Sequence, residues 1–338
     1  MRESACPLKC VGDGVRHCQV KAVVYRSYGP PRVLALEDVN EPATTGLGRV
    51  RVRVHAAGLN PKDVLVRKGK YKLLTGPRFP KGFGYDYAGE VIASSASGFQ
   101  PGDRVFGMVQ AWNGSTCAEQ ITVRAKGECA RMPRSLSWEQ AAAIPLAAQT
   151  ALQALRDIAG VTAGTRLLIN GASGGVGTFA IQIARALGAH VTAVSSATNE
   201  AFCRELGAHD TVDYRLASPF EPASPRDAYD AIFDVFGNGT FARARRALRP
   251  HGIYVTTVPS RRAFLDIAAT LFSPQRARLV YVRTKSADLA YLAALADEGR
   301  LRPIIHQVFP LEDVQAAAAQ IETKRTRGKV VLRMPPST

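Results

Sequence analysis

Hydrophobic and polar positions alternate along this chain with two different periods, and the change of period divides it. In Arg49-Val-Arg-Val-Arg-Val-His55 every second residue is apolar, the signature of a strand with one buried face. Shorter alternating runs at 20–25 and 89–93 read the same way. Gln100-Pro-Gly-Asp103 puts proline and glycine at the centre of a type II turn, leading into a strand at 104–106. Several short strands with turn signals predict a partly closed β-barrel over residues 19–130. Ser137 and Gln140 then form a capping box before an alanine-rich helix. Pro145 should end or kink that helix at Ile144. A second helix is expected over 146–158.

From residue 165 the pattern becomes strand, glycine turn, helix, strand. Residues 167–169 are an apolar run, as in a buried parallel strand. Gly171-Ala-Ser-Gly-Gly-Val-Gly177 follows at once. Ile181, Ile183, Ala184 and Leu187 recur at helical spacing, with Gly188 placed as the C-cap. The next strand is 191–194. Strands at 211–214, 229–234 and 252–258, with a helix at 240–248, extend a parallel sheet. Residues 260–280 show no readable period. Ser286 is expected to cap a helix ending at Glu298, with Gly299 as its stop. A strand at 305–309, a helix at 311–323 and a strand at 329–333 complete the chain.

Glycines between a strand and a helix let a pyrophosphate approach backbone N–H groups that a Cβ would screen. The strand before and the helix after make Ser173, Gly174, Gly175, Val176 and Gly177 a dinucleotide site. An NAD-type unit carries an acid at the end of its second strand. Here that position holds Ser195 and Ser196, followed by Ala197, Thr198 and Asn199. Small polar residues admit a 2′-phosphate that an aspartate would repel, so NADPH is expected over NADH.

The 338 residues suggest two domains, and no apolar run is long enough for a transmembrane helix. No signal-peptide core is evident, and six cysteines without a C-x-x-C pair suggest a reducing, cytoplasmic setting. Residues 1–18 carry Cys6, Cys10, Cys18 and His17 at no zinc spacing and are expected to be a disordered extension. The net charge of +16 comes largely from arginines scattered over helices, such as Arg243, Arg245 and Arg246. Without an aromatic-interleaved basic motif, solvated helix faces explain it better than nucleic acid does.

The order of these elements resembles the medium-chain dehydrogenase/reductase superfamily over roughly residues 19–334. It is most similar to the zinc-free quinone oxidoreductases that include ζ-crystallin. The matching segments include Ala57-Gly-Leu-Asn-Pro-Lys-Asp63, Gly84-Tyr-Asp-Tyr-Ala-Gly89, Pro101-Gly-Asp-Arg-Val105, the glycine loop, Asp234-Val-Phe-Gly237 and Gly328-Lys-Val-Val-Leu332. The resemblance implies an α/β fold: a GroES-like, partly open β-barrel catalytic domain and a Rossmann doubly wound parallel-sheet domain, usually in a homodimer. On that division 19–144 and 281–338 are catalytic and 145–280 bind the cofactor.

The resemblance also aligns the zinc-ligand positions of the superfamily's alcohol dehydrogenases with Asn60, Tyr85 and a site near Leu146. None is a good zinc ligand, so no metal is expected. Without a Lewis acid, simple alcohol oxidation loses its means of stabilising an alkoxide. The expected reaction is instead hydride transfer to a quinone or an α,β-unsaturated carbonyl. An enoyl or 2-alkenal reductase of one pathway is the alternative. An NADPH-binding, RNA-associating protein with little turnover is the alternative from another class.

Asn60 is expected beside the nicotinamide, and Tyr71 and Tyr85 are candidate proton donors. Thr150 would contact the nicotinamide ribose, and Phe236 and Val258 would line its pocket. Ser196, Asn199 and Tyr214 would meet the 2′-phosphate. The family often has lysine at the Asn199 position, and Arg215 could compensate. Asp86 is expected to orient backbone. His55, His190, His209 and His306 are assigned no catalysis.

Overall fold

A computed structural model describes residues 19–43, 46–221 and 228–336 of the chain. The expected extension at 1–18 lies outside these residues.

The alternating segment becomes the strand Arg49–Leu59, with Val50, Val52 and Val54 buried. Beyond His55 the alternation stops and Ala56, Ala57, Gly58 and Leu59 are all buried. Small residues are required there because the helix Trp138–Ala142 crosses close by: a Cβ on Gly58 would sit 2.2 Å from the Ala142 carbonyl oxygen. This strand is the hub of a seven-stranded sheet. Across it run Ile305–Pro310, Lys329–Arg333, Arg49–Leu59, Asp86–Ser94, Arg104–Met108 and Ala130–Arg131, with Gln120–Arg124 also pairing with Arg49–Leu59. A small sheet of Leu34–Asn40, Gln19–Tyr25 and Lys81–Gly82 completes the GroES-like domain.

The second domain is a six-stranded, fully parallel sheet. Its order is Asp210–Asp213, His190–Ser195, Arg166–Asn170, Tyr229–Asp234, Leu248–Thr256 and Arg276–Leu279. Chain order reverses direction at Arg166–Asn170, so loops on either side diverge there and leave a crevice at the strands' C-terminal ends. The chain is therefore an α/β protein with a doubly wound Rossmann sheet.

The boundary signals act as read. Ser137 and Gln140 make the reciprocal capping box. The first helix stops before Pro145, and a new one, Pro145–Leu152, starts at it. Gly188 takes the left-handed conformation, φ +84°, after the helix Gly175–Ala186.

Two expectations are corrected, and one stretch without a readable period acquires its elements. Residues 260–280 hold the helix Arg261–Ala269 and a strand; Phe264 and Leu265 face outward while Ala263 and Asp266 are buried, which inverts the usual stripe. The helix expected at 240–248 is only Phe241–Ala244, because the chain rejoins the sheet at Leu248, opposite Tyr229. Ser286 is not the cap of the helix Ser286–Asp297; Lys285 is. The Ser286 hydroxyl instead donates to the Cys129 carbonyl at 2.9 Å and accepts the Gly127 N–H at 2.8 Å, tying the C-terminal return to the catalytic domain.

Asp234, fully buried at the end of its strand, organises the crevice. Its two oxygens accept from Asn170 Nδ2 (2.7 Å), the Gly237 N–H (2.8 Å), the Gly239 N–H (2.9 Å) and the Tyr254 hydroxyl (2.6 Å). Replacing Asp234 by alanine strands these donors, each costing about 1–3 kcal/mol where water cannot replace the carboxylate. A loss of roughly 3 kcal/mol or more in urea unfolding is expected. An unchanged midpoint would show that water or a neighbour satisfies the turn.

Candidate active site

The glycine loop opens the crevice. Gly171 has φ +85°, and a Cβ on Gly177 would lie 2.2 Å from the Gly171 carbonyl oxygen, so Gly177 lets the helix seat against the strand. Gly174 differs, because a Cβ there would have no neighbour nearer than 3.5 Å. It faces space, and no side chain caps the helix start behind it. Free N–H groups, a helix dipole and an open approach suit a pyrophosphate. Ser173, Gly174, Gly175, Val176 and Gly177 thus form a cradle that fits a dinucleotide.

Past the end of the strand His190–Ser195, the Asn199 amide donates to Ser173 Oγ at 3.3 Å and Ser196 Oγ at 3.2 Å. Arg327, from the segment before the last strand, caps this group. Its guanidinium donates to Asn199 Oδ1 at 2.7 and 3.0 Å and to the Thr198 carbonyl at 3.3 Å, and it lies over the Phe202 ring. Sequence reasoning missed Arg327 because it lies 128 positions from Asn199. Arg215 packs beside the Tyr214 ring instead, and Tyr214 is half exposed. At the other end, Phe236 and Val258 stand at neighbouring strand ends. They are held close by Gly237, whose Cβ would fall 2.2 Å from Val258 Cγ2.

Asn60 caps the helix Pro61–Arg67, next to the hub strand. It is buried, and both ends of its amide are engaged. Oδ1 accepts from the Lys329 ammonium, and Nδ2 donates to Asp86 at 3.0 Å. Asp86 also accepts from Lys329 Nζ at 3.3 Å and from the Leu146 N–H at 2.9 Å. Lys329, like Arg327, is a residue of this region that sequence reasoning did not single out. Its stem lies under the phosphate cradle: Cδ is 3.2 Å from where a Gly175 Cβ would be. Burial raises the Asp86 carboxyl, and Lys329 is the main influence against that rise.

Tyr85 replaces a zinc-ligand position in the alignment, and its hydroxyl donates to the Trp112 carbonyl. Burial raises its pKa further, so it is a poor acid. Tyr71 packs against Trp112 with ring centroids 5.3 Å apart, and burial raises its pKa too. Trp112 meets Tyr281, just past the strand Arg276–Leu279, with ring centroids 6.4 Å apart. The Thr150 hydroxyl donates back to the Leu146 carbonyl at 2.7 Å, which leaves its oxygen an acceptor.

Asp63, fully buried, accepts the Asn60 N–H, and burial pushes its carboxyl up to about 7 against that bond. A carboxyl raised on folding stabilises fully below about pH 4. Its contribution is lost as pH rises towards 7, because the unfolded chain ionises first. Asp63→Asn keeps an acceptor without the charge. Its stability relative to wild type should rise between pH 4 and 7, by on the order of 4 kcal/mol, and then level off. Parallel thermal midpoints across that range would refute the raised carboxyl.

A zinc ion does not fit the aligned positions. An amide already bonded to an ammonium, a phenol donating to a carbonyl, and the apolar Leu146 are not a zinc donor set. Among the described residues no group of three or more His, Cys, Asp or Glu could hold a metal ion.

A GroES-like catalytic sheet joined to a doubly wound parallel sheet, with a glycine-rich turn between strand and helix, is the architecture of an oxidoreductase. Residues 46–145 match the alcohol dehydrogenase GroES-like domain, and residues 206–332 match the zinc-binding dehydrogenase family. The chain belongs to the medium-chain dehydrogenase/reductase superfamily. It is 32% identical to the mitochondrial NAD(P)H oxidoreductase RTN4IP1 of Mus musculus, over 94% of this chain and 90% of that protein. It is 30% identical to a chloroplast envelope quinone oxidoreductase homolog of Arabidopsis thaliana, over 92% of this chain and 97% of the relative. The quinone oxidoreductase from Coxiella burnetii superposes with a TM-score of 0.85 at 31% identity, covering 94% of this chain and all of that one. No helix among the described residues is long and apolar enough to cross a membrane.

Proposed function

We propose that the chain is a zinc-independent, NADPH-dependent reductase of quinones or α,β-unsaturated carbonyls. The observation that carries this reading is the Asn60–Lys329–Asp86 network at the zinc-ligand positions. A fixed ammonium there leaves no seat for a second cation. An acceptor must therefore delocalise incoming charge through its own π-system. When bound, NADPH supplies a hydride from nicotinamide C4. The cradle of 173–177 holds the pyrophosphate, Phe236 and Val258 confine the nicotinamide, and the aromatic wall of Tyr71, Trp112 and Tyr281 excludes water and positions a planar acceptor. Ser196, Asn199 and Arg327 supply hydroxyl, amide and guanidinium groups for the 2′-phosphate, and no acid stands at that strand end. The quinone oxidoreductase names of two relatives agree with this chemistry.

The reading includes a homodimer, because the strand Arg276–Leu279 ends the sheet beside exposed Leu271 and Phe272. It includes a reducing compartment, since Cys117, Cys129 and Cys203 are buried free thiols. The test follows NADPH loss with 1,2-naphthoquinone, 9,10-phenanthrenequinone, a crotonyl thioester and 4-hydroxynonenal, before and after treatment with a strong chelator. Turnover that survives chelation is expected with the first two. Exclusive turnover of the thioester moves the chain to the enoyl reductases, and turnover of none defeats the proposal.

A further inference from the structure

Reduction of a conjugated acceptor leaves negative charge on its oxygen, and that oxygen needs a proton. At the substrate end of the cleft most polar side chains are already committed. The Asn60 amide is spent on Lys329 and Asp86, and Asp86 on Lys329, Asn60 and the Leu146 N–H. The Tyr85 hydroxyl is spent on the Trp112 carbonyl. Lys62 stands apart. It is the second residue of the helix Pro61–Arg67, and its ammonium lies 3.8 Å from the centroid of the Tyr85 ring and 5.5 Å from that of Trp112. Among the described residues it has no ion-pair or hydrogen-bond partner, and it is half-buried. A cation held on aromatic faces, with its N–H bonds unspent, can be approached by an anion.

The groups around it come from several parts of the chain. Asp63 lies on its own helix, Asp86 opens the strand Asp86–Ser94, and Tyr85 immediately precedes it. Tyr71 caps the next helix, Lys72–Thr75, and Tyr281, just past the strand Arg276–Leu279, is close enough to Tyr85 for their charges to interact. Desolvation lowers the Lys62 pKa, against the pull of Asp63 and Asp86, which makes it a better acid than an ordinary lysine.

We propose that the Lys62 ammonium is the proton donor to the reduced acceptor, with Trp112 and Tyr281 as the wall on which a planar acceptor stacks. This rests on the hydride-transfer reading above. For a quinone, the hydride brings two electrons and one proton and gives the hydroquinone monoanion. An N–H bond of Lys62 breaks, an O–H bond forms on the anion, and the neutral amine is reprotonated by solvent at its exposed side. One quinone, one NADPH and one solvent proton become one hydroquinone and one NADP+. Tyr71 is the rival donor. Its phenol is neutral, so it offers no charge to the anion, and burial makes it a weaker acid still.

The test uses the full chain as wild type, Lys62→Met, Lys62→Arg and Tyr71→Phe. With NADPH and 1,2-naphthoquinone, Lys62→Met should lower kcat about 100-fold or more and leave KM within about threefold, whereas Tyr71→Phe should lose much less. A second readout needs no turnover. The NADP+ complex is titrated with 2-hydroxy-1,4-naphthoquinone, which is ionised at neutral pH, and with uncharged 1,4-naphthoquinone. Lys62→Met should weaken the anion at least about tenfold, corresponding to roughly 1.4 kcal/mol, and the neutral ring much less. Lys62→Arg should restore anion binding and only part of kcat. Equal weakening of both rings assigns Lys62 to packing and overturns the proposal, as does a Lys62→Met enzyme with wild-type kcat or a larger loss in Tyr71→Phe. A wild type inert toward quinones and enones removes the reductase reading itself, a different failure from any of these.

Discussion

Lys329→Met is expected to lower the free energy of unfolding by about 3–5 kcal/mol. Lys329 and Asp86 are 3% and 0% exposed, with Nζ 3.3 Å from the carboxylate. A buried pair of this kind contributes little relative to an apolar pair, because desolvation offsets the attraction. Removing one partner is different: Asp86 then keeps its burial and loses the group that most opposes its raised pKa. The charge of Asp86 also helps raise the neighbouring Asp63 carboxyl, so the two groups are coupled. The Asn60 amide also loses the donor that sets its orientation. Lys329→Met combined with Asp86→Asn should recover much of the loss, because it removes the stranded charge. Urea titrations of the two single variants and the double variant measure this coupling. If Lys329→Met unfolds with the wild type, the ammonium is not the counter-ion of Asp86.

The second large effect is on cofactor preference. Wild type should favour NADPH over NADH by at least about tenfold in kcat/KM, and Arg327→Met should lower the NADPH value by roughly 10–100-fold. That range corresponds to the 1.5–3 kcal/mol of a charge-assisted hydrogen bond. NADH should change little, since it lacks the phosphate that the guanidinium would meet. Salt should weaken NADPH binding more than NADH binding in the wild type, and this difference should shrink in the variant. Binding of 2′,5′-ADP, followed by calorimetry, gives the same comparison without turnover. Equal losses for both cofactors would assign Arg327 to holding the Thr198–Asn199 turn, which it also contacts.

These two residues mark where sequence reading stops. The glycine loop was legible because every part of its signal is local: strand, turn and helix follow one another within residues 166–186. The strands at 49–55, 229–234 and 329–333 were legible for the same reason: the first alternates over one buried face, and the other two are short runs buried almost throughout. Residues 261–269 were not, because that helix turns Phe264 and Leu265 to solvent and buries Asp266 to accept the Phe241 N–H. Asn60, Tyr71 and Tyr85 were named from motif and resemblance. Which of their donors is free depends on partners that no motif contains.

Residue order alone set the α/β plan and the glycine turn between strand and helix, and with the family resemblance it marked Asn60, Tyr85 and Leu146 as poor zinc ligands, because backbone preference, periodicity and donor chemistry are properties of short stretches. Only the folded chain decided what fills that position. It brings Lys329 onto Asn60 across 269 residues, sets Arg327 over Asn199, and holds the Lys62 ammonium against two aromatic rings. The physical reason is that charge and hydrogen bonding in a cleft depend on distance and burial, and both are established when the C-terminal strand pairs beside the hub strand of the catalytic sheet.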